Sequence, residues 1–269
     1  MRSIGSGMAV YLTGDIHGGM DMGGIPAFAE GEGAGLTRDD FLIILGDFGL
    51  VWREPPSDCE VELLAWFEAQ PWTTLFIDGN HENFDLLEAL PVERWHGGRV
   101  HSVRPHVIHL MRGETFEICG STFFCVGGAH SIDEKWRTPH VTWWEQEAPG
   151  EEERAYIAEA AEAVVAVDYV LTHCPPTGQY DRYRARWTGF WGPSDEWTGW
   201  LEEHVEGAFP ISAGTTATCT STRTWTTRTS PSSTRSSSCR RDRSRYALLK
   251  HVAVMRATLV PSSSATSTV

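Results

Sequence analysis

Asp15 and His17, Asp47, Asn80 with His81, and His173 are residue types that bind divalent cations, and each group follows a short apolar run. Hydrolysing a phosphoester near neutral pH needs a strong nucleophile and neutralisation of the charge on the phosphoryl oxygens. Two cations about 3.5–4 Å apart supply both. Such a centre needs hard carboxylate oxygens, imidazoles and one ligand able to bridge. Asp15 and His17, separated by one residue, can reach one ion from a single turn. Asp47 stands between Gly46 and Gly49, whose small size lets a metal pair approach the backbone, and it is the bridging candidate. Asn80 offers a neutral amide oxygen and His173 an imidazole. A lone Asp-x-His or Gly-Asp pair reads as an ordinary turn. Four such groups, each after a buried strand, point to a metal centre.

The elements that must position these groups are four runs without polar alternation: Val10–Thr13, Phe41–Leu45, Thr74–Ile77 and Tyr169–Thr172. Runs of this kind read as strands buried on both faces, and open α/β sheets place ligands at the C-terminal ends of their strands. Helices are expected over Cys59–Gln70, with Val61, Leu64 and Ala65 on its buried stripe, over Phe84–Leu90, and over Glu151–Val167, whose leading acids suit a helix N-terminus. From Val100 to Gly128 the texture becomes that of a β-meander: Val107–Met111, Thr115–Ile118 and Thr122–Val126. The glycine-rich stretch Gly18–Gly35 has no GxGxxG or GKS/T arrangement and reads as a loop. Trp187–Trp200 reads either as a wall over the site or as core packing. His96, His101, His106, His109, His130 and His140 lack strand-end placement and read as surface or core, with His130 kept open because it follows Gly127-Gly128.

The net charge is −14 over 269 residues. The acids are concentrated early: a single one, Asp242, follows Glu206, in a stretch with nine Lys and Arg. An acidic body argues against tracking along a nucleic-acid backbone, while bound cations can still invert the local field for a phosphorylated substrate. There is no apolar run of membrane-spanning length and no basic-then-apolar leader near Met1. Six cysteines without a CxxC pair suggest reduced thiols in a cytoplasmic protein, Cys119 and Cys125 serving as small buried hydrophobes.

Asp15-Ile16-His17-Gly18, Gly46-Asp47-Phe48-Gly49, Gly79-Asn80-His81-Glu82 and His173 resemble, in type, order and approximate spacing, the calcineurin-like metallophosphoesterase superfamily. Gly127-Gly128-Ala129, Ser131-Ile132-Asp133, Trp136-Arg137 and Trp143-Trp144 are similar to a bacterial and phage branch of it. The resemblance covers roughly residues 9–206. It implies an α/β fold, a four-layer α/β/β/α sandwich of two mixed sheets flanked by helices. It also implies two divalent ions (Mn, Fe or Zn, with Mn favoured) and in-line attack of a bridging hydroxide on a phosphomonoester or phosphodiester. Asp15 and His17 would bind the first metal, Asp47 would bridge, and Asn80 and His173 would bind the second. His81, with Asn80, would face the substrate, and Arg137 would steady a phosphate. The expected partner is a phosphorylated substrate, with no membrane and no nucleic acid indicated. The alternative is a non-catalytic metal-binding or interaction protein on the same fold.

The family pattern ends in a Gly-His-x-His loop, and residues 1–206 lack it. Beyond them, residues 207–269 contain His251 alone, and Ser, Thr and Arg make up most of residues 215–245, a bias that argues against a core strand and for a disordered tail. The genetic code offers a sharper reading. Thr216 to Thr220 must be encoded ACN GCN ACN TGY ACN, and triplets begun at each third base read NGC NAC NTG YAC. These can encode Gly, His, then Leu, Val or Met, then His. A coding sequence that lost one base, or gained two, between about Gly207 and Ala213 would have displaced the missing ligands.

Overall fold

The computed structural model describes residues 8–165, 167–184, 194–209, 216–218 and 253–255. Three of the four apolar runs open the fold as β1 (Val10–Thr13), β2 (Phe41–Leu45) and β3 (Thr73–Ile77), buried at every position. Then come β4 (Val92–Trp95), β5 (Gly98–Arg104), β6 (Val107–Leu110), β7 (Glu114–Ile118) and β8 (Ser121–Val126). The fourth run is β9 (Tyr169–Thr172), and two three-residue strands follow, β10 (Thr216–Thr218) and β11 (Ala253–Met255).

One sheet runs β11-β1-β2-β3-β6-β5-β4 and the other β10-β9-β8-β7. β1, β2, β3 and β6 are parallel, with antiparallel strands at both edges. In the second sheet β9 lies parallel to β8 and β10, and β7 is antiparallel to β8. The expected meander therefore divides between the sheets, β5–β6 going to one and β7–β8 to the other.

Alternate side chains of each buried strand feed two different layers, which is why these strands are mostly apolar and show no polar alternation, their few polar residues (Thr13, Thr73, Thr74, Thr172) lying at the strand ends. Leu12, Ile43, Leu75 and Ile77 meet Phe116, Phe123, Cys125 and Leu171 between the sheets. The other face of the first sheet (Tyr11, Leu42, Ile44, Phe76) is covered by α1 (Ile25–Glu30), α2 (Asp58–Glu68) and α3 (Phe84–Leu87). The second sheet's outer face packs Phe124, Val126 and Val170 against α4 (Glu151–Ala163) and, beyond α5 (Thr177–Arg184), α6 (Glu196–Leu201). The result is the expected four-layer α/β/β/α sandwich.

Three expectations are corrected. The buried stripe of α2 is Glu60, Leu64 and Phe67, while Val61 and Ala65 are exposed. Glu60 is the reason: its carboxylate is buried because it accepts from Trp52 N, Arg53 N and Ser57 N at 2.7, 2.8 and 2.9 Å, completing a capping box with Ser57. The Gly18–Gly35 loop contains α1, started by Pro26 in its first turn and packed through Ile25 and Phe28. The Ser/Thr/Arg-rich segment supplies β10, since pairing to the edge of β9 needs backbone groups only and threonine suits an extended chain. The rest of residues 219–252 lies outside the described residues, as do Trp187 and Trp191. Trp197 is buried under the second sheet and Trp200 packs beside it, so that half of the Trp-rich segment is core. Among the described residues no helix is long and apolar enough to cross a membrane.

Candidate metal centre

Asp15 and His17 follow β1, Asp47 follows β2, Asn80 and His81 follow β3, and His173 follows β9, so both sheets deliver their polar residues to one mouth between them. The turns after β1 and β2 are zipped together by Ile16 N and His17 N donating to Asp47 O at 3.1 and 2.8 Å. His17 and Asp47 both take positive φ (45° and 50°), a conformation that side-chain-bearing residues adopt rarely and that clusters at functional sites.

Asp47 is the centre of the cluster. Its Oδ2 lies 3.0 Å from His17 Nε2 and its Oδ1 lies 3.5 Å from His173 Nε2. Oδ1 also accepts from His81 N at 2.9 Å. His173 Nε2 meets Asn80 Oδ1 at 3.1 Å, and its Nδ1 meets Leu45 O at 2.8 Å. Ligand atoms of His17, Asp47 and His81 all lie within 4.8 Å of one another, a spacing that could hold a metal ion. Two glycines leave room for the cluster. A Cβ on Gly46 would stand 2.0 Å from His173 Nδ1, and one on Gly79 would stand 2.1 Å from Asp47 Oδ1.

The electrostatics are those of a shared carboxylate among imidazoles. Burial would raise Asp47, but the charge of His173, the hydrogen bond from His17 and the charges of His81 and His17 hold it well below the usual carboxylate range. Burial would lower His17, but the hydrogen bond to Asp47 and the charges of Asp47, Asp15 and Asp21 lift it to about 9. His173 is likewise raised against burial by Asp47 and then Asp15, so Asp15, itself 1 % exposed, acts on both histidines. The donor set, carboxylates and imidazoles around one central carboxylate in a space kept open by glycines, fits divalent cations.

His81 behaves differently. Burial pushes its ring down to about 4, the charge of Asp47 opposing and that of Arg137 adding to the fall. Neither neighbouring acid faces the ring. Asp78 is paired with Arg112 and His109, and Glu82 accepts from Phe48 N and Gly49 N at 2.7 and 2.9 Å. The ring's Nε2 instead meets Arg137 Nη2 at 3.0 Å.

Two residues complete the arrangement: Ser131, which carried part of the resemblance but no expected role, and Glu147, which the sequence did not flag. Asn80 Nδ2 donates to Ser131 Oγ at 3.0 Å, and Ser131 Oγ donates in turn to Glu147 Oε2. While Glu147 is ionised its carboxylate can only accept, and the relay then points the amide nitrogen toward Ser131 and Oδ1 toward His173. Burial, opposed by the hydrogen bond from Ser131 and the charge of Arg137, raises Glu147 to about 7. Glu147 Oε1 also lies 3.7 Å from Arg137 Nη1. One buried carboxylate thus reaches both the Asn80 and the Arg137–His81 sides. No sequence pattern flags Glu147, which ends a single 3-10 turn (Glu145–Glu147). Among the described residues, His96, His101, His106, His109, His130 and His140 have partners of their own. His101 and His109 form a buried pair, and His130 faces Asp195 at 3.0 Å.

Residues 8–205 match the calcineurin-like phosphoesterase family. The chain belongs to that family, and its chemistry is of the metal-dependent phosphoesterase class. Comparison with curated proteins gives no match.

Proposed function

We propose that this chain hydrolyses a phosphomonoester or phosphodiester. Asp15 and His17 would hold one divalent cation, Asn80 and His173 a second, and Asp47 would serve both, with Mn the first metal to test and Fe or Zn the others. The observation that supports this best is the posture of Asp47, whose two oxygens face histidines from different sheets. Bound cations would acidify the attacking water and offset charge on the phosphoryl oxygens. His17 and Asp15 would hold their cation from the β1 side, and Asn80 and His173 theirs from the other. His81 and Arg137, hydrogen-bonded to each other, face the substrate's phosphoryl group, Arg137 supplying positive charge.

The frame-displaced loop belongs to the same proposal. β10 pairs Thr216–Thr218 with Val170–Thr172, so it ends opposite Thr172, one residue before His173. In the shifted reading the first hidden histidine falls across the codons of Ala217 and Thr218. Beside His173 is where a further imidazole would complete the centre. The written chain then carries five ligands and turns over weakly.

The test is hydrolysis of an aryl phosphate at saturating Mn²⁺ before and after frame repair. Activity rising with repair is expected. Equal rates would sink the loop's role, and metal binding without turnover in the repaired chain would favour the non-catalytic reading. Ser131→Ala in the same chain should weaken Mn²⁺ binding about 10–100-fold by calorimetry, because the Asn80 amide loses its fixed direction. Parent-like affinity would show that the relay does not matter.

A further inference from the structure

We infer that the cavity beside the centre receives a flat aromatic leaving group stacked on Trp52, an inference that rests on the phosphoesterase assignment. The cavity holds about 290 Å³ and is lined by His17, His81, Met20, Trp52, Arg53 and Cys59 among others. Two of these are imidazoles of the candidate centre, so a phosphoryl group held there projects one of its ester substituents directly into the space. A cavity of about 150 Å³ accommodates benzene, so this one has room for a single ring system with its nearest substituents.

Trp52 is built as a platform. Its N–H donates to Glu60 Oε1 at 2.7 Å and its carbonyl accepts from Asn83 Nδ2 at 2.8 Å, which fixes the backbone on both sides. Its ring stands edge-on to the buried Trp144, with centroids 5.2 Å apart and planes at 84°. A half-buried indole held in this way loses little freedom when a second ring stacks on it. Glu60, the one carboxylate of the lining, is engaged by backbone N–H groups and by Ser57 Oγ at 2.6 Å, so its acceptors point into the loop. Arg53 lines the cavity with its side chain 62 % exposed; Nη1 donates to Glu60 Oε2 at 3.5 Å, and the other guanidinium nitrogens can meet an anionic substituent. A ring with a nearby anion describes a nucleobase or a phenolic ring equally well.

Calorimetric titration of the Mn²⁺-loaded chain with phenyl phosphate, adenosine monophosphate, glycerol phosphate and inorganic phosphate tests this. The ring-bearing compounds should bind about tenfold more tightly than glycerol phosphate, with Trp52→Ala removing that preference and Trp52→Phe keeping most of it. Whichever of phenyl phosphate and adenosine monophosphate binds better identifies the ring. Equal binding of ring-bearing and ring-free esters, or a preference that survives Trp52→Ala, overturns the inference and leaves the phosphoesterase assignment standing. Failure of all four, inorganic phosphate included, overturns both.

Discussion

Exchange of Asp47 for Asn lowers Mn²⁺-dependent hydrolysis of an aryl phosphate by about a thousandfold, the scale at which several kcal/mol of charge stabilisation is lost. The substitution keeps the shape of the side chain, and an amide oxygen can still accept from His81 N, as Asp47 Oδ1 does at 2.9 Å. What it removes is the negative charge that His17 and His173 share from opposite sheets. An amide also has one oxygen where the carboxylate has two, so it can no longer serve both sides of the centre. The loss should therefore appear first in metal stoichiometry, as fewer than two Mn²⁺ bound per repaired chain by calorimetry, while the fold survives by circular dichroism. A variant that binds two ions with parent-like affinity would remove Asp47 from the bridging position.

That Asp47 could be singled out from sequence follows from how the fold is made. Central strands buried on both faces leave no polar residue along Phe41–Leu45, so the first one after it stands out. The same contrast exposes Asp15, Asn80 and His173, and with them the layered architecture. Legibility fails where a side chain breaks the usual link between polarity and exposure. Glu60 is buried because a loop spends its N–H groups on it, and this turned Val61 and Ala65 of the assumed α2 stripe toward solvent while Leu64 stayed buried. β4 is an edge strand with three exposed positions, so it shows no apolar run at all. Ser131 and Glu147 matter because they converge on Asn80 from 51 and 67 positions away in the chain, a distance over which no local pattern persists. The placement of the candidate ligands is thus carried by local sequence, and the packing that aims them is long-range.

The largest effect on stability should come from Arg112, which belongs to that hidden machinery. Its side chain is 5 % exposed, and its Nε and Nη2 lie 2.7 and 2.6 Å from Asp78 Oδ2. Nη1 reaches Glu153 on α4 at 2.9 Å, and Nη2 also donates to Gln146 O at 2.9 Å. One guanidinium therefore joins the end of β3, the turn that carries Glu147, and the outer helix. Asp78 immediately precedes Gly79-Asn80-His81, so whatever holds Asp78 holds the loop that presents Asn80. Burial would raise Asp78, but the charge of Arg112 and the hydrogen bond from His109 keep its carboxyl far below the ordinary range. Arg112→Met leaves that buried charge with only His109, 3.2 Å away, and should cost about 3–5 kcal/mol in urea denaturation. Arg112→Lys restores the charge without the fork and should recover only part of the loss. The double variant Asp78→Asn with Arg112→Met should be less destabilised than the two single effects summed, because the second change removes the charge that the first one strands. Additive losses, or a single-variant cost under about 1 kcal/mol, would mean that the sandwich does not depend on this pair. The chain needs a guanidinium here because three elements from different layers converge on one dry point, and only its planar set of donors can satisfy them all at once.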